Sequence, residues 1–320
     1  IYTLSLHDAL PILHSTPAPA PRIGLALGSG SARGWAHIGV IRALAEAGVE
    51  PDIVCGTSIG ALVGAAYAGG ELDRLEAWVR SLRLQTVVSF LDPSLGSGLI
   101  KGEKLIDFFR GHVVDHDVRE LARPFGAVAT VLHNGREVWL REGAVSDAVR
   151  ASIALPGLFT PVLHNGVWLV DGGLVNPVPV SLCRAMGADL VIAVDLNTDL
   201  LGRRLKARPA IRRPGEVPES LTDTVMARLQ AGLSQLGLNG NNGGPRSPAM
   251  LDVLASSINI MQVRITRSRL AGDPADAMVT PSLAELGLME FHRAALAIDA
   301  GRRAVDAAMP QIRARLLNGQ

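Results

Sequence analysis

The chain has 320 residues, 48% of them hydrophobic and 19% charged, which is enough apolar material for a large buried core and argues against global disorder. A net charge of +1 and an aromatic content of 4% offer neither the electrostatic field nor the stacking platforms of a nucleic-acid binder. Cys55 and Cys183, both in apolar surroundings and without Cys-x-x-Cys spacing, fit a reduced compartment and exclude a disulfide scaffold or a cysteine-based zinc site, and the eight histidines form no metal constellation.

Residues 1–12 fit no strand, helix or signal-peptide plan and resemble translated sequencing-adapter read-through, so residues 1–20 are set apart as a non-native or disordered extension. Residues 23–27 read as a buried strand that runs into Gly28-Ser29-Gly30-Ser31-Ala32-Arg33-Gly34, followed by a helix over 35–47 that Gly48 closes. The next βα unit contains Gly56-Thr57-Ser58-Ile59-Gly60, a strand, a sharp turn with serine at its apex, and an apolar helix. Residues 53–70 are uncharged for eighteen positions, but five glycines make them a buried strand and helix, not a membrane span. Consecutive βα units imply a parallel sheet.

Further along, 71–80 reads as a solvated helix, 85–100 as an irregular loop or lid, and 103–109 as helical. Residues 125–132 and 137–140, joined at Asn134-Gly135, form a hairpin. A helix over 145–153 leads into a rigid Pro/Gly loop over 155–161. Residues 167–170 form a strand ending in Asp171-Gly172-Gly173, and 176–184 a helix. The run 190–195 is a fully buried strand in the same layer. Residues 199–248 read as a flexible linker or insertion, whose cluster Arg203, Arg204, Lys206, Arg208, Arg212 and Arg213 offers a contact for anionic lipid. An amphipathic helix over 250–270, a short strand at 278–281 and one or two helices over 289–316 make up a C-terminal region, 249–320, packed on a catalytic domain of 22–197.

Three chemical readings of the Gly-rich turn compete. A dinucleotide fingerprint lacks the acidic residue at the end of the second strand, and a plain tight turn explains nothing else. An oxyanion loop, with freed backbone N–H groups facing a carbonyl attacked by Ser58, accounts for both glycine motifs together and is preferred. A serine elbow normally calls for a late loop histidine, yet only His292 lies beyond Asp171 and it sits in a helical pattern, while His37 reads as structural. Ser58 paired directly with Asp171 remains, with the carboxylate moving the proton.

These three segments, the loop ending in Arg33-Gly34, the Gly56–Gly60 elbow and Asp171-Gly172-Gly173, resemble the patatin-like phospholipase family, in particular small bacterial members similar to the catalytic domain of neuropathy target esterase. The resemblance spans about residues 22–197 and touches 271–281. It implies a three-layer α/β/α sandwich with a mostly parallel sheet, a Ser58–Asp171 dyad, an oxyanion hole from Gly28, Ser29, Gly30, Ser31, Arg33 and Gly34, and support from Gly56, Gly60, Gly172 and Gly173. It further implies hydrolysis of phospholipid or lysophospholipid acyl esters without metal or cofactor, in the cytoplasm or peripherally at the inner membrane. Ser29 and Ser31 stand where the family usually has glycine. Two other readings are a regulatory binder on the same scaffold, turning over little substrate, and a soluble carboxylesterase or thioesterase.

Overall fold

A computed structural model of the chain describes residues 20–90, 106, 110–111, 116–198 and 250–318. The expectations for 1–19, for most of 91–115 and for 199–249, including the cluster Arg203 to Arg213, lie outside the described residues.

The sheet runs β5-β6-β3-β2-β1-β7-β8, with β4 also pairing with β3. Its middle is β1 (Ile23–Leu27), β2 (Ile53–Thr57) and β7 (Leu190–Val194). These runs are almost entirely apolar, as strands covered on both faces must be. β3 (Phe125–Val131), β1, β2, β7 and β8 (Ala277–Val279) pair in parallel. β4 (Glu137–Leu140), β5 (Val162–His164) and β6 (Val167–Asp171) are antiparallel to their neighbours. The sheet is therefore parallel on one side and antiparallel on the other.

Helices cover both faces. Leu25, Leu27, Val54 and Ile192 point into the core under α1 (Ala36–Glu46), α2 (Ile59–Ala68) and α3 (Leu72–Ser81). The buried residues of α4 (Leu84–Phe90) and α5 (Val145–Ser152) join this first core, whereas Ala26, Cys55, Val191 and Ala193 face the other way, against Leu182 and Cys183 on α6 (Val180–Ala185). Two long helices follow, α7 (Met250–Gly272) and α8 (Ala294–Asn318). A side-chain atom on Gly39 of α1 would stand 1.9 Å from the Ile298 carbonyl oxygen, and one on Gly301 of α8 would stand 2.0 Å from that of Ala36, so small residues let the two helices touch backbone to backbone.

Four local expectations change, the first being the helix expected over 176–184, which begins only at Val180, after Pro179. Residues 84–90 are helical instead of irregular, and Leu163 pairs with Trp168 in a strand, β5, that begins right after the Pro/Gly loop. Asp171 also reaches the site by another route than a parallel βα turn. β2 pairs with β3 through Thr57 opposite Val128, and β6 pairs with β3 through Asp171 opposite Ala129. β4 overlaps both stretches and so takes the other edge of β3. β2 and β6 thus run towards each other along one edge of β3, and their C-terminal ends meet.

Candidate active site

Ser58 stands at that meeting point with φ +57°, between β2 and α2. A left-handed serine costs conformational energy and persists only where the surroundings impose it. Here they do. Side-chain atoms on Gly56 or Gly60 would lie 2.4 Å from Ala61 Cα and 2.2 Å from the Leu27 carbonyl oxygen, so the turn closes only with glycine on both sides. Ser58 N donates to Ser152 Oγ at 2.9 Å, and Ser152 Oγ donates to the Val128 carbonyl at 2.6 Å.

Asp171 is fully buried and held at every polar atom. Its N–H donates to the Ala154 carbonyl at 2.9 Å, and its own carbonyl accepts from Thr130 Oγ1 at 2.8 Å. Oδ1 accepts from Gly173 N at 2.7 Å, while Oδ2 accepts from Ser58 Oγ at 2.5 Å. Burial pushes the Asp171 carboxyl up to about 6, against the opposing pull of the hydrogen bonds from Ser58 and Gly173. The carboxylate is thereby a stronger base than a solvated one, while still ionised at neutral pH.

The Gly-rich loop lies alongside. Gly28 N and Ser29 N are engaged with the carbonyls of Val194 and Pro177, at 3.0 and 2.8 Å, and Ala32 N and Arg33 N with those of Leu288 and Gly30. Gly30 N and Ser31 N have no acceptor among the described residues, and both residues line the cleft that holds Ser58. Of the six residues expected to form an oxyanion hole, Gly30 and Ser31 therefore present the open donors. Gly28, Arg33 and Gly34 secure the loop: Arg33 is buried, with Nε bonded to the Gly30 carbonyl at 3.3 Å, and Gly34 packs where Ile59 leaves no room for a side chain.

The two serines that replace glycine each find a partner. Ser31 adopts φ +52°, and its Oγ donates to the Leu288 carbonyl at 2.6 Å. Ser29 Oγ donates to Gln262 Oε1 at 3.1 Å. His37 Nε2 lies 2.7 Å from the Gly28 carbonyl, which can only accept, so that nitrogen carries the proton. Burial lowers the imidazole to about 4, and it is neutral at physiological pH. His292 sits in a 3-10 turn, Phe291–Arg293, and neither histidine is bonded to Ser58 or Asp171. Cys55 and Cys183 are free and buried, and no three His, Cys, Asp or Glu among the described residues are grouped to hold a metal.

The cleft, about 610 Å³ out to its open mouth, is largely apolar: Leu62, Ile153, Leu158, Phe159, Ile258 and Phe291 surround the polar residues. Sequence reasoning missed Ser152, Asn197, Asn259 and Gln262. Asn259 Oδ1 accepts from Arg33 at 3.2 Å, and Asn197 Nδ2 donates to the Ser29 carbonyl at 3.1 Å. A signal for the α7 pair was present, since Asn259, Gln262 and Thr266 fall on one helical face beside Ile258 and Val263.

A family model for patatin-like phospholipases matches residues 25–184. An uncharacterized NTE family protein of Mycobacterium tuberculosis is 35% identical over 89% of this chain and 93% of its own length. The patatin-like phospholipase domain-containing protein 7 of Mus musculus is 34% identical over 55% of this chain and 14% of its own length. Among solved structures, VipD from Legionella pneumophila has a similar fold, with a TM-score of 0.50 at 15% identity, covering 91% of this chain and 67% of that one. On these matches and its three-motif core, the chain belongs to the patatin-like phospholipase family.

Proposed function

We propose that the protein is a carboxylic ester hydrolase acting on phospholipids or lysophospholipids through Ser58 and Asp171. Family membership supports lipid hydrolysis, and the observation that carries the finer reading is the 2.5 Å contact between Ser58 Oγ and a buried carboxylate whose pKa is raised to about 6. As Ser58 Oγ attacks the ester carbonyl, its proton passes to Asp171 Oδ2 and then to the departing alcohol. The same carboxylate draws a proton from water as it attacks the acyl-enzyme, and returns it to Ser58. Gly30 N and Ser31 N donate to the oxygen that gains negative charge in both steps. The apolar wall of Leu62, Ile153, Leu158, Phe159 and Phe291 takes the acyl chain. The substrate is met at lipid surfaces by peripheral contact; no helix among the described residues is long and apolar enough to cross a membrane.

A fluorophosphonate probe should label Ser58, and Ser58→Ala should abolish both label and lipid hydrolysis. His37→Ala and His292→Ala should keep the label wherever they fold. Activity should fall as pH drops through about 6, where Asp171 takes up a proton. A folded wild-type protein that is not labelled and releases no fatty acid would instead be a binding protein on this scaffold.

A further inference from the structure

One polar group in the cleft has no task in this chemistry: the carboxamide of Gln262, which is only 5% exposed and lines the cleft together with Ser58. Its orientation follows from its neighbours. Asn197 Nδ2 lies 3.1 Å from the Ser29 carbonyl, which can only accept, so this atom of Asn197 is a donor. The same Nδ2 lies 3.4 Å from Gln262 Oε1, which also accepts from Ser29 Oγ at 3.1 Å. With the oxygen fixed by two donors, Nε2 points away from the loop. It occupies the space beside Gly173: a side-chain atom there would stand 2.4 Å from Gln262 Nε2 and 3.0 Å from Asp171 Oδ1. Nε2 has no acceptor among the described residues. It is not sealed in the interior but opens on the cleft, where water or a substrate oxygen can take its hydrogens.

We propose that Gln262 Nε2 donates to an uncharged oxygen, such as a hydroxyl, on the alcohol half of the ester. This rests on the hydrolase reading above. In that reading the carbonyl oxygen faces Gly30 and Ser31, while Asp171 hands its proton to the leaving alcohol, so the alcohol half lies on the Asp171 side of the cleft, where Nε2 is. The ionised Asp171 carboxylate repels an anionic oxygen at that place and tolerates a neutral one. Gln262 thus binds substrate with one end of its amide and holds the oxyanion loop with the other. Gly173 has no side chain for the same reason: the space is needed by a residue on a helix about ninety positions later.

Two esters with one acyl chain test this, glycerol monobutyrate and propyl butyrate, which differ in the hydroxyls of the three-carbon alcohol. Gln262→Leu should lower kcat/KM for the glycerol ester by about 3–10-fold more than for the propyl ester, the size of one neutral hydrogen bond to substrate. Gln262→Glu keeps the volume and the acceptor for Ser29 and should lose the same preference. Ser29→Ala removes one of the two donors that fix Oε1 but keeps the amide, so it should lower the preference for the glycerol ester by less than Gln262→Leu does. Equal losses on both esters in Gln262→Leu and Gln262→Glu would make Gln262 only a brace for Ser29 and overturn the proposal. An unaltered ratio in both variants overturns it equally. A folded wild-type protein that cleaves neither ester and takes no fluorophosphonate label contradicts the hydrolase reading, and the substrate role of Gln262 falls with it; one that is labelled but cleaves neither ester overturns the alcohol site alone.

Discussion

The turn that carries Ser58 and the helix that carries Gln262 line the same cleft, yet they are held in place by different forces. The turn is fixed by backbone packed on backbone: α2 begins so close to β1 that Gly60 has the Leu27 carbonyl where a side chain would go. α7 buries Ile258 and Val263, and towards the cleft it is tied by polar side chains, through Asn259 to Arg33, Gln262 to Ser29, and an ion pair of 2.7 Å from Arg269 to Glu137. Glu137 in turn accepts from Asn176 Nδ2 at 2.8 Å, and the Asn176 carbonyl accepts from Thr57 Oγ1 at 2.8 Å, one residue before the serine. Steric contact cannot be stretched without collision, whereas a neutral hydrogen bond contributes only about 1 kcal/mol and can be exchanged. On the functional reading proposed above, the chemistry belongs to the rigid wall and the discrimination between esters to the adjustable one.

That contrast sets the order of expected effects. Gly60→Ala drives a methyl group into backbone and should destabilise the fold by roughly 2–4 kcal/mol, read as a fall in the urea midpoint, with hydrolysis lost in any protein that remains folded. A Gly60→Ala protein as stable as the parent would show that the turn is not held by that contact. Gly173→Ala meets the end of a flexible side chain, Gln262 Nε2 at 2.4 Å, so it should cost about 1 kcal/mol or less. Its effect should instead appear in kcat/KM, by about 10-fold, because Gln262 and the Asp171 turn are pushed apart. If stability falls as far as in Gly60→Ala, the two walls do not differ as described.

The same contrast explains what could be read in advance. The elbow, the Gly-rich loop and the Asp-Gly-Gly turn are local patterns whose glycines are dictated by contacts within a few residues or across one strand, so they showed in the sequence. The route by which Asp171 arrives was missed although a signal was there: Asn165-Gly166, at φ +47° and +78°, is the two-residue hairpin turn that joins β5 to β6, and the three-residue β5 beside it reads as the end of a loop. Asn259 and Gln262 looked like ordinary members of an amphipathic helix. Their shared helical face with Thr266 marks a polar stripe on the buried side, but their partners, Arg33 and Ser29, lie 226 and 233 positions earlier, and the stripe does not say what it binds.

Asp171→Asn, with turnover and melting temperature taken on the same preparation, tests the central pairing most directly. Asparagine keeps the shape but accepts no proton, so turnover should fall by about 10²–10⁴-fold, the usual loss for a general base. Stability should move the other way. Because Asp171 binds its proton more tightly when folded, at about 6 against 3.8, its ionised form opposes folding above pH 6, and that cost is relieved as pH falls from 6 towards 3.8. Removing the charge at pH 7 therefore stabilises by up to roughly 3 kcal/mol, seen as a melting temperature a few degrees higher. A dead but more stable Asp171→Asn protein is the expected result; one that stays folded and hydrolyses lipid at close to the parental rate would contradict the role of Asp171 as the base for Ser58.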